Sequence, residues 1–294
     1  MKRISLVVLA LCTCFTSVAW AQTPACKHSP LWAEFHKENM ERWNKCEKVL
    51  NVHNVGKLNL KWSYTTGGEV DSSPAVANGV VYVGSDDNNV YALSAKTGAP
   101  LWSYTTGGIV YSSPAVANGV VYVDSADYNV YALNASTGAK LWSFTTGYSV
   151  YSSPAVANGV VYVGSEDSKV YALNARTGAK LWSYATGSIV DSSPAVANDV
   201  VYVGSFDGNV YALSASTGAK LWSHATSEAS SPAVANGVVY VGSADNTVYA
   251  LNAHTGALLW SYATGNSVYS SPAVSNGVVY VGSYDGNVYA FGLK

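Results

Sequence analysis

The chain has 294 residues, 49% hydrophobic and 12% charged, with 22 Tyr, 9 Trp and a formal charge of −2. This composition excludes a disordered chain, and the lack of a basic stripe excludes nucleic acid as the partner. The length suits one large all-β domain or two ordinary ones, and the abundant Val and Tyr suit pleated, half-buried strands.

Met1–Ala21 reads as a signal peptide. Lys2 and Arg3 precede the apolar run Ile4–Leu11, and Ala19-Trp20-Ala21 fits a small-x-small cleavage site before Gln22. The run is too short to span a bilayer, and no later stretch is apolar for long enough, so no transmembrane segment is expected. A periplasmic or secreted protein follows. Leu11 before Cys12 and Thr13 before Cys14 do not suit a lipid-anchoring site.

Residues 22–57 form an N-terminal strap holding the two remaining cysteines, Cys26 and Cys46. In an exported chain such a pair reads as a disulfide, worth about 3 kcal/mol if unstrained. Ser29-Pro30 could alternatively start a helix. A helix from Pro30 to Cys46 would be about 24 Å long, which would hold the cysteines apart, so a disulfide implies a folded-back strap.

Repeats fill residues 58–294. Trp62, Trp102, Trp142, Trp182, Trp222 and Trp260 recur every 40 residues, with a final spacing of 38. The string SSPAVANGVVYVGS at Ser72–Ser85 returns unchanged at Ser152–Ser165 and Ser230–Ser243, and three further copies each differ at one position. A period near 40 in a Val/Tyr/Gly-rich chain indicates a propeller or a solenoid, and four short strands with tight turns make one propeller blade. In the first unit the expected strands are Pro74–Ala77, Val80–Ser85, Val90–Ala95 and Pro100–Thr105. Asn78-Gly79 supplies a type I′ turn, and Thr97-Gly98 supplies another turn. The second and third strands are apolar on both faces, as expected of sheets covered on both sides. The last copy ends after three strands, and Leu58–Thr66 is a Trp strand with no blade before it. The expectation is therefore an all-β propeller of six four-stranded blades, with Leu58–Thr66 as the outer strand completing the C-terminal blade.

From Trp32 onward the chain resembles the pyrroloquinoline quinone (PQQ) repeat propellers. The stretch Val130–Trp142, VYALNASTGAKLW, is similar to their tryptophan-docking motif, and Trp32, Phe35, His36, Asn39 and Arg42 resemble their entry strap. The resemblance implies that the six repeat tryptophans pack between blades. It also raises a PQQ-dependent dehydrogenase, an enzyme class that uses a vicinal Cys pair, Ca²⁺ held by Glu and Asn, and a catalytic Asp. No Cys-Cys occurs here, and no Glu/Asn/Asp set breaks the repeat. A non-catalytic member is expected, with an outer-membrane assembly lipoprotein of similar propeller as a precedent. No cofactor and no metal site are expected, with PQQ plus Ca²⁺ as the alternative.

Six aspartates, Asp87, Asp127, Asp167, Asp207, Asp245 and Asp285, sit in Ser-x-Asp turns where Asp bonds its own backbone, which is a structural role. His224 and His254 occupy positions filled by other residue types in other copies. Function needs asymmetry, so a site is expected where the copies differ. The variable connections are those before each blade and between its second and third strands, which a meander places on one face. Candidate binding residues there are Asp71, Tyr111, Tyr151, Asp191 and Tyr269, near the channel mouth, with Tyr128, Phe206 and Tyr284. Six-fold geometry would set Asp71 opposite Asp191. The expected function is a monomeric scaffold binding an envelope or extracellular protein or a glycan; the alternatives are the quinoprotein enzyme or a small-molecule or sugar binder. Asp199, in place of a turn Gly, is expected to cost stability. Asp124, in place of a strand Gly, marks either a functional asymmetry or an edge charge.

Overall fold

The computed structural model describes residues 49–293, so the signal peptide, the Trp32–Arg42 motif and the Cys26–Cys46 pair lie outside the described residues. Apart from one 3-10 turn at Val55–Lys57, the regular structure described is all β. The strands form six antiparallel sheets, five of four strands and a last one of three, each in simple meander order. No helix among the described residues is long and apolar enough to cross a membrane.

The first blade shows why the sequence folds this way. Its strands are β1 (Ala75–Ala77), β2 (Val80–Gly84), β3 (Asn89–Ser94) and β4 (Pro100–Thr105). Asn78 and Gly79 both take positive φ, 50° and 78°, which is the type I′ geometry that turns β1 onto β2. The register then pairs Val80 with Ser94 through to Gly84 with Val90. A bulge between Ala92 and Leu93 offsets β3 from β4, and the same bulge recurs in the other four-stranded blades. In the fourth blade Asp199 replaces the turn glycine and is held at φ 60°.

The core lies between blades. Tyr82, Val90 and Ala92 of the first blade pack against Val121, Val123, Tyr131 and Leu133 of the second, and the pattern repeats along the chain. Five of the six docking tryptophans bond the next blade: Nε1 of Trp62, Trp102, Trp142, Trp182 and Trp222 donates to the carbonyls of Ala95, Ala135, Ala175, Ala215 and Ala253 at 2.9–3.0 Å. The glycine of each Thr-Gly turn is the seat for that ring. A Cβ on Gly98 would stand 2.6 Å from the Trp62 ring.

The serines of Ser-Ser-Pro link blades at the innermost strands. The amides of Ser73, Ser113, Ser153 and Ser193 donate to the hydroxyls of Ser113, Ser153, Ser193 and Ser231, all at 2.9 Å. Val110, Val190 and Val268, just before each new blade, plug against Gly84, Gly164 and Gly242 of the blade before, where a Cβ would clash at 2.4–2.5 Å.

One expectation needs correction. Leu58–Thr66 forms no strand, and the last sheet, Ala273–Ser275, Val278–Gly282 and Val288–Gly292, keeps three strands with its outer edge unpaired. The segment is instead held on the first blade, where Trp62 bonds Ala95 and Tyr64 packs on Tyr91 at 5.5 Å.

Candidate functional site

The two variable connections are bonded to each other in every blade. The amides of Asp86, Ala126, Glu166, Phe206, Ala244 and Tyr284 donate to the carbonyls of Glu69, Ile109, Ser149, Ile189, Glu228 and Ser267 at 2.9–3.0 Å. They therefore share one end of the molecule, and the Asn-Gly and Thr-Gly turns share the other.

The six turn aspartates hold this end together. Asp87 accepts from the Asn89 amide at 3.0 Å, from the Tyr91 hydroxyl at 2.6 Å and from the Gly67 amide of the preceding connection at 2.6 Å. Burial raises its carboxyl, but those hydrogen bonds outweigh it and hold the carboxyl low. Asp127, Asp167, Asp207, Asp245 and Asp285 each accept from the tyrosine four residues on. Tyr91 is pushed up to about 12, first by burial and then by its bond to Asp87. Carboxylates that already accept two or more hydrogen bonds from their own turn and its neighbours are staples of the loop ends, as their spacing suggests.

The candidate residues fall into groups. Asp71 lies with Glu69 and Asp86, whose carboxylate oxygens are all within 4.8 Å of one another. Asp86 is held above the usual carboxylate range by desolvation, then by Asp71 and Asp87. Tyr111 adjoins this cluster: desolvation, Asp86, Tyr151, Asp71 and Glu69 raise its hydroxyl in that order. Its ring meets Tyr151 edge-on at 5.4 Å. Tyr269 packs on Tyr284 at 5.1 Å and donates to Glu228 at 3.2 Å. Tyr128 stacks on Tyr148 at 5.2 Å. Tyr128, Tyr148, Tyr151, Tyr269 and Tyr284 are exposed, as is Phe206, which pairs with no ring among the described residues.

Asp191 is partly buried, with one carboxylate oxygen out of solvent and unpartnered. Burial, then the nearby Glu166, pushes it up to about 6. Asp71 and Asp191 thus belong to separate acidic groups. Glu69, Asp86, Tyr148, Glu166 and Glu228 also belong to this surface. The signal for them was present in the variable connections, in GGEVD, SDDNN, GYSVY, SEDSK and SEA.

Asp124 is not an edge charge. It is fully buried, neither carboxylate oxygen has a partner, and desolvation pushes its carboxyl well above the usual range. It replaces the glycine that elsewhere seats the valine of the next blade. His224 stands in for the Tyr or Phe of other copies, 5.9 Å from Tyr249. At the opposite end, the turns of the fourth to sixth blades line a groove of about 470 Å³ containing Asn198, Asn236 and Asn276. Asn198, Asn236 and Asn276 are the turn asparagines of the repeat itself.

These arrangements agree with what the chain is similar to. A PQQ-repeat family model described as outer membrane protein assembly factor BamB matches residues 41–150, 113–231 and 207–294. The quinoprotein alcohol dehydrogenase PedE of Pseudomonas putida is 43% identical over 67 residues, 21% of this chain and 10% of that protein. The match therefore spans about a tenth of that relative's length. Two solved structures share the fold. A europium-containing methanol dehydrogenase superposes with a TM-score of 0.75 at 18% identity, covering 87% of this chain and 69% of that one. BamB from Moraxella catarrhalis superposes with a TM-score of 0.55 at 21% identity, covering 79% of this chain and 88% of that one. On the family match, which runs from residue 41 to the last residue, this chain belongs to the PQQ-repeat β-propeller family.

Proposed function

We propose that the protein is an exported, non-catalytic scaffold that binds a protein or glycan partner through the end carrying the variable connections. The observation that carries this reading is the set of exposed aromatic pairs there, Tyr111–Tyr151, Tyr128–Tyr148 and Tyr269–Tyr284, flanked by carboxylates. Rigid aromatic rings supply contact area at low entropic cost, and they dominate recognition surfaces. Two pairs sit around the second and third blades and one at the sixth, which favours a partner that spans more than one blade over a small molecule. The acidic groups favour partners with cationic or hydroxyl-rich surfaces.

The residues of this end do not suit PQQ. An anionic quinone with three carboxylates needs cations around it, and a Ca²⁺ site needs oxygen ligands beside the quinone. Glu69, Asp71 and Asp86 would repel the quinone, and Lys169 is the one Lys or Arg in the variable connections. Its ammonium is 3.3 Å from Asp167.

The test is binding of the mature protein to panels of envelope proteins and of glycans, beside titration with PQQ and Ca²⁺ and dye-linked alcohol oxidation. The expected outcome is a saturable partner whose binding falls at least tenfold in a Tyr111→Ser, Tyr269→Ser variant with unchanged melting temperature. Turnover with PQQ would reverse the reading. A cationic partner should also bind less well as pH falls through about 6, where Asp191 takes up its proton.

A further inference from the structure

The two ends of the blades carry opposite charge. Among the described residues, every Asp and Glu lies in a variable connection except Asp124, which is buried, and Asp199. Lys169 is the one cation in those connections. Lys96, Lys140, Arg176, Lys180 and Lys220 are all exposed, and each falls within two residues of a Thr-Gly turn, at the opposite end. Asp199, in its Asn-Asp turn, is the one acid there among the described residues. The five cations come from the first four blades. They form no basic stripe in the sequence because they stand far apart in it, and the repeat brings them to one end.

Beside these cations stands a row of leucines. In the third blade the register pairs Ala172 with Trp182 and Leu173 with Lys180, so Leu181 faces no residue across the ladder. The bulge aims that side chain away from the sheet. Leu101, Leu141, Leu221 and Leu259 are skipped in the same way in the other four-stranded blades. All five are 51–54% exposed, and none lies in the core between blades. Lys140, Lys180 and Lys220 immediately precede three of them. A single exposed leucine is ordinary, but the same leucine at one position of every four-stranded blade is a repeated apolar surface.

We infer that this end docks on an anionic lipid surface. The cations meet the headgroup phosphates, and the leucines enter the boundary between headgroups and acyl chains beside them. Equivalent positions of successive blades stand at one level, so these side chains reach a flat surface together. Leucines next to Lys140, Lys180 and Lys220 favour a surface with hydrocarbon behind its charge over an acidic protein or a nucleic acid. The same surface repels the acidic variable end, which sets the orientation and leaves the aromatic pairs facing away from lipid. The inference concerns the end without those pairs, and it holds whether or not they bind a partner.

Flotation of the protein lacking Met1–Ala21 with vesicles tests this. Vesicles of phosphatidylglycerol and phosphatidylcholine should bind about tenfold or more tightly than phosphatidylcholine alone, and added salt should weaken the binding. Lys180→Gln should weaken it about fivefold, the factor expected for one cation near such a surface. Lys169→Gln removes the same charge from the acidic end and should leave binding within about twofold of wild type. The triple variant Leu141→Ser, Leu181→Ser, Leu221→Ser should bind about tenfold more weakly with an unchanged melting temperature, since all three side chains are exposed. Equal binding to the two kinds of vesicle, or binding to neither, overturns the proposal. Equal losses in the two lysine variants also overturn it, because they would report net charge alone. A leucine variant that binds as tightly as wild type overturns it too, and would leave an acidic protein as the partner of this end.

Discussion

The third and sixth blades are written almost alike and live in different surroundings. SSPAVANGVVYVGS of the third becomes SSPAVSNGVVYVGS in the sixth, yet Tyr162 is 3% exposed and Tyr280 is 42% exposed. The tryptophans that follow the third and precede the sixth, Trp182 and Trp260, are 9% and 39% exposed. Val170 is fully buried and its counterpart Val288 is 80% exposed. A repeat unit does not own its burial. Each blade is covered by its neighbours, so stability is set by the number of filled junctions.

The contrast can be broken by placing one change at matched positions. Val170→Asp buries a charge with no partner and should cost on the order of 4 kcal/mol, while Val288→Asp should cost less than about 0.5 kcal/mol at concentrations where the protein is monomeric. Equal losses in urea melts would show that the last blade is as covered as the third. Trp182→Ala should cost about 3–5 kcal/mol and Trp260→Ala well under half of that, because Trp260 bonds no carbonyl among the described residues and is partly solvated already.

Asp124 sharpens the contrast from within a filled junction. Asp124→Gly restores the residue of the other five blades and should stabilise by about 2 kcal/mol at neutral pH, given the cost of an unpartnered buried carboxyl. The sign of its pH dependence follows from burial. The folded carboxyl holds its proton to higher pH than the unfolded one, so the folded state binds the extra proton. Wild-type stability therefore falls as pH rises above the ordinary carboxylate value, and continues to fall until the folded carboxyl ionises. The gap between variant and wild type should widen over that range and narrow, without vanishing, in acid, as read from melts at several pH values.

The smallest effect belongs to the fourth hairpin. Asp199 sits at φ 60° where the other turns place glycine, and Asp199→Gly should add about 0.5–1 kcal/mol. A lower melting temperature would mean that Asp199 makes a compensating contact.

The strands were legible because their punctuation is chemical. Asn-Gly forces a type I′ turn, and the observed strands of the first blade fall within a residue of their expected bounds. The shared end of the variable connections was also legible, since a meander leaves no other choice. The docking glycines were read as turn formers only, and their second role as seats for Trp depends on the blade before. Closure was misjudged for a related reason. Counting strands shows that the two ends are complementary, but it does not show whether they pair. The grouping of Asp71 with Glu69 and Asp86, and of Asp191 with Glu166, depends on how far side chains reach across neighbouring loops. A repeat alignment does not contain that distance.

The serine relay has a consequence for how such a chain can change length. Each link runs from the amide of one blade to the hydroxyl of the next, always in the same sense. The link itself therefore does not depend on which blade follows which, and a gene segment copied or deleted in whole units would keep it at each remaining junction. Blade number in this architecture is then a heritable count, free to drift by recombination, and selection need act only on what happens at the two outermost faces.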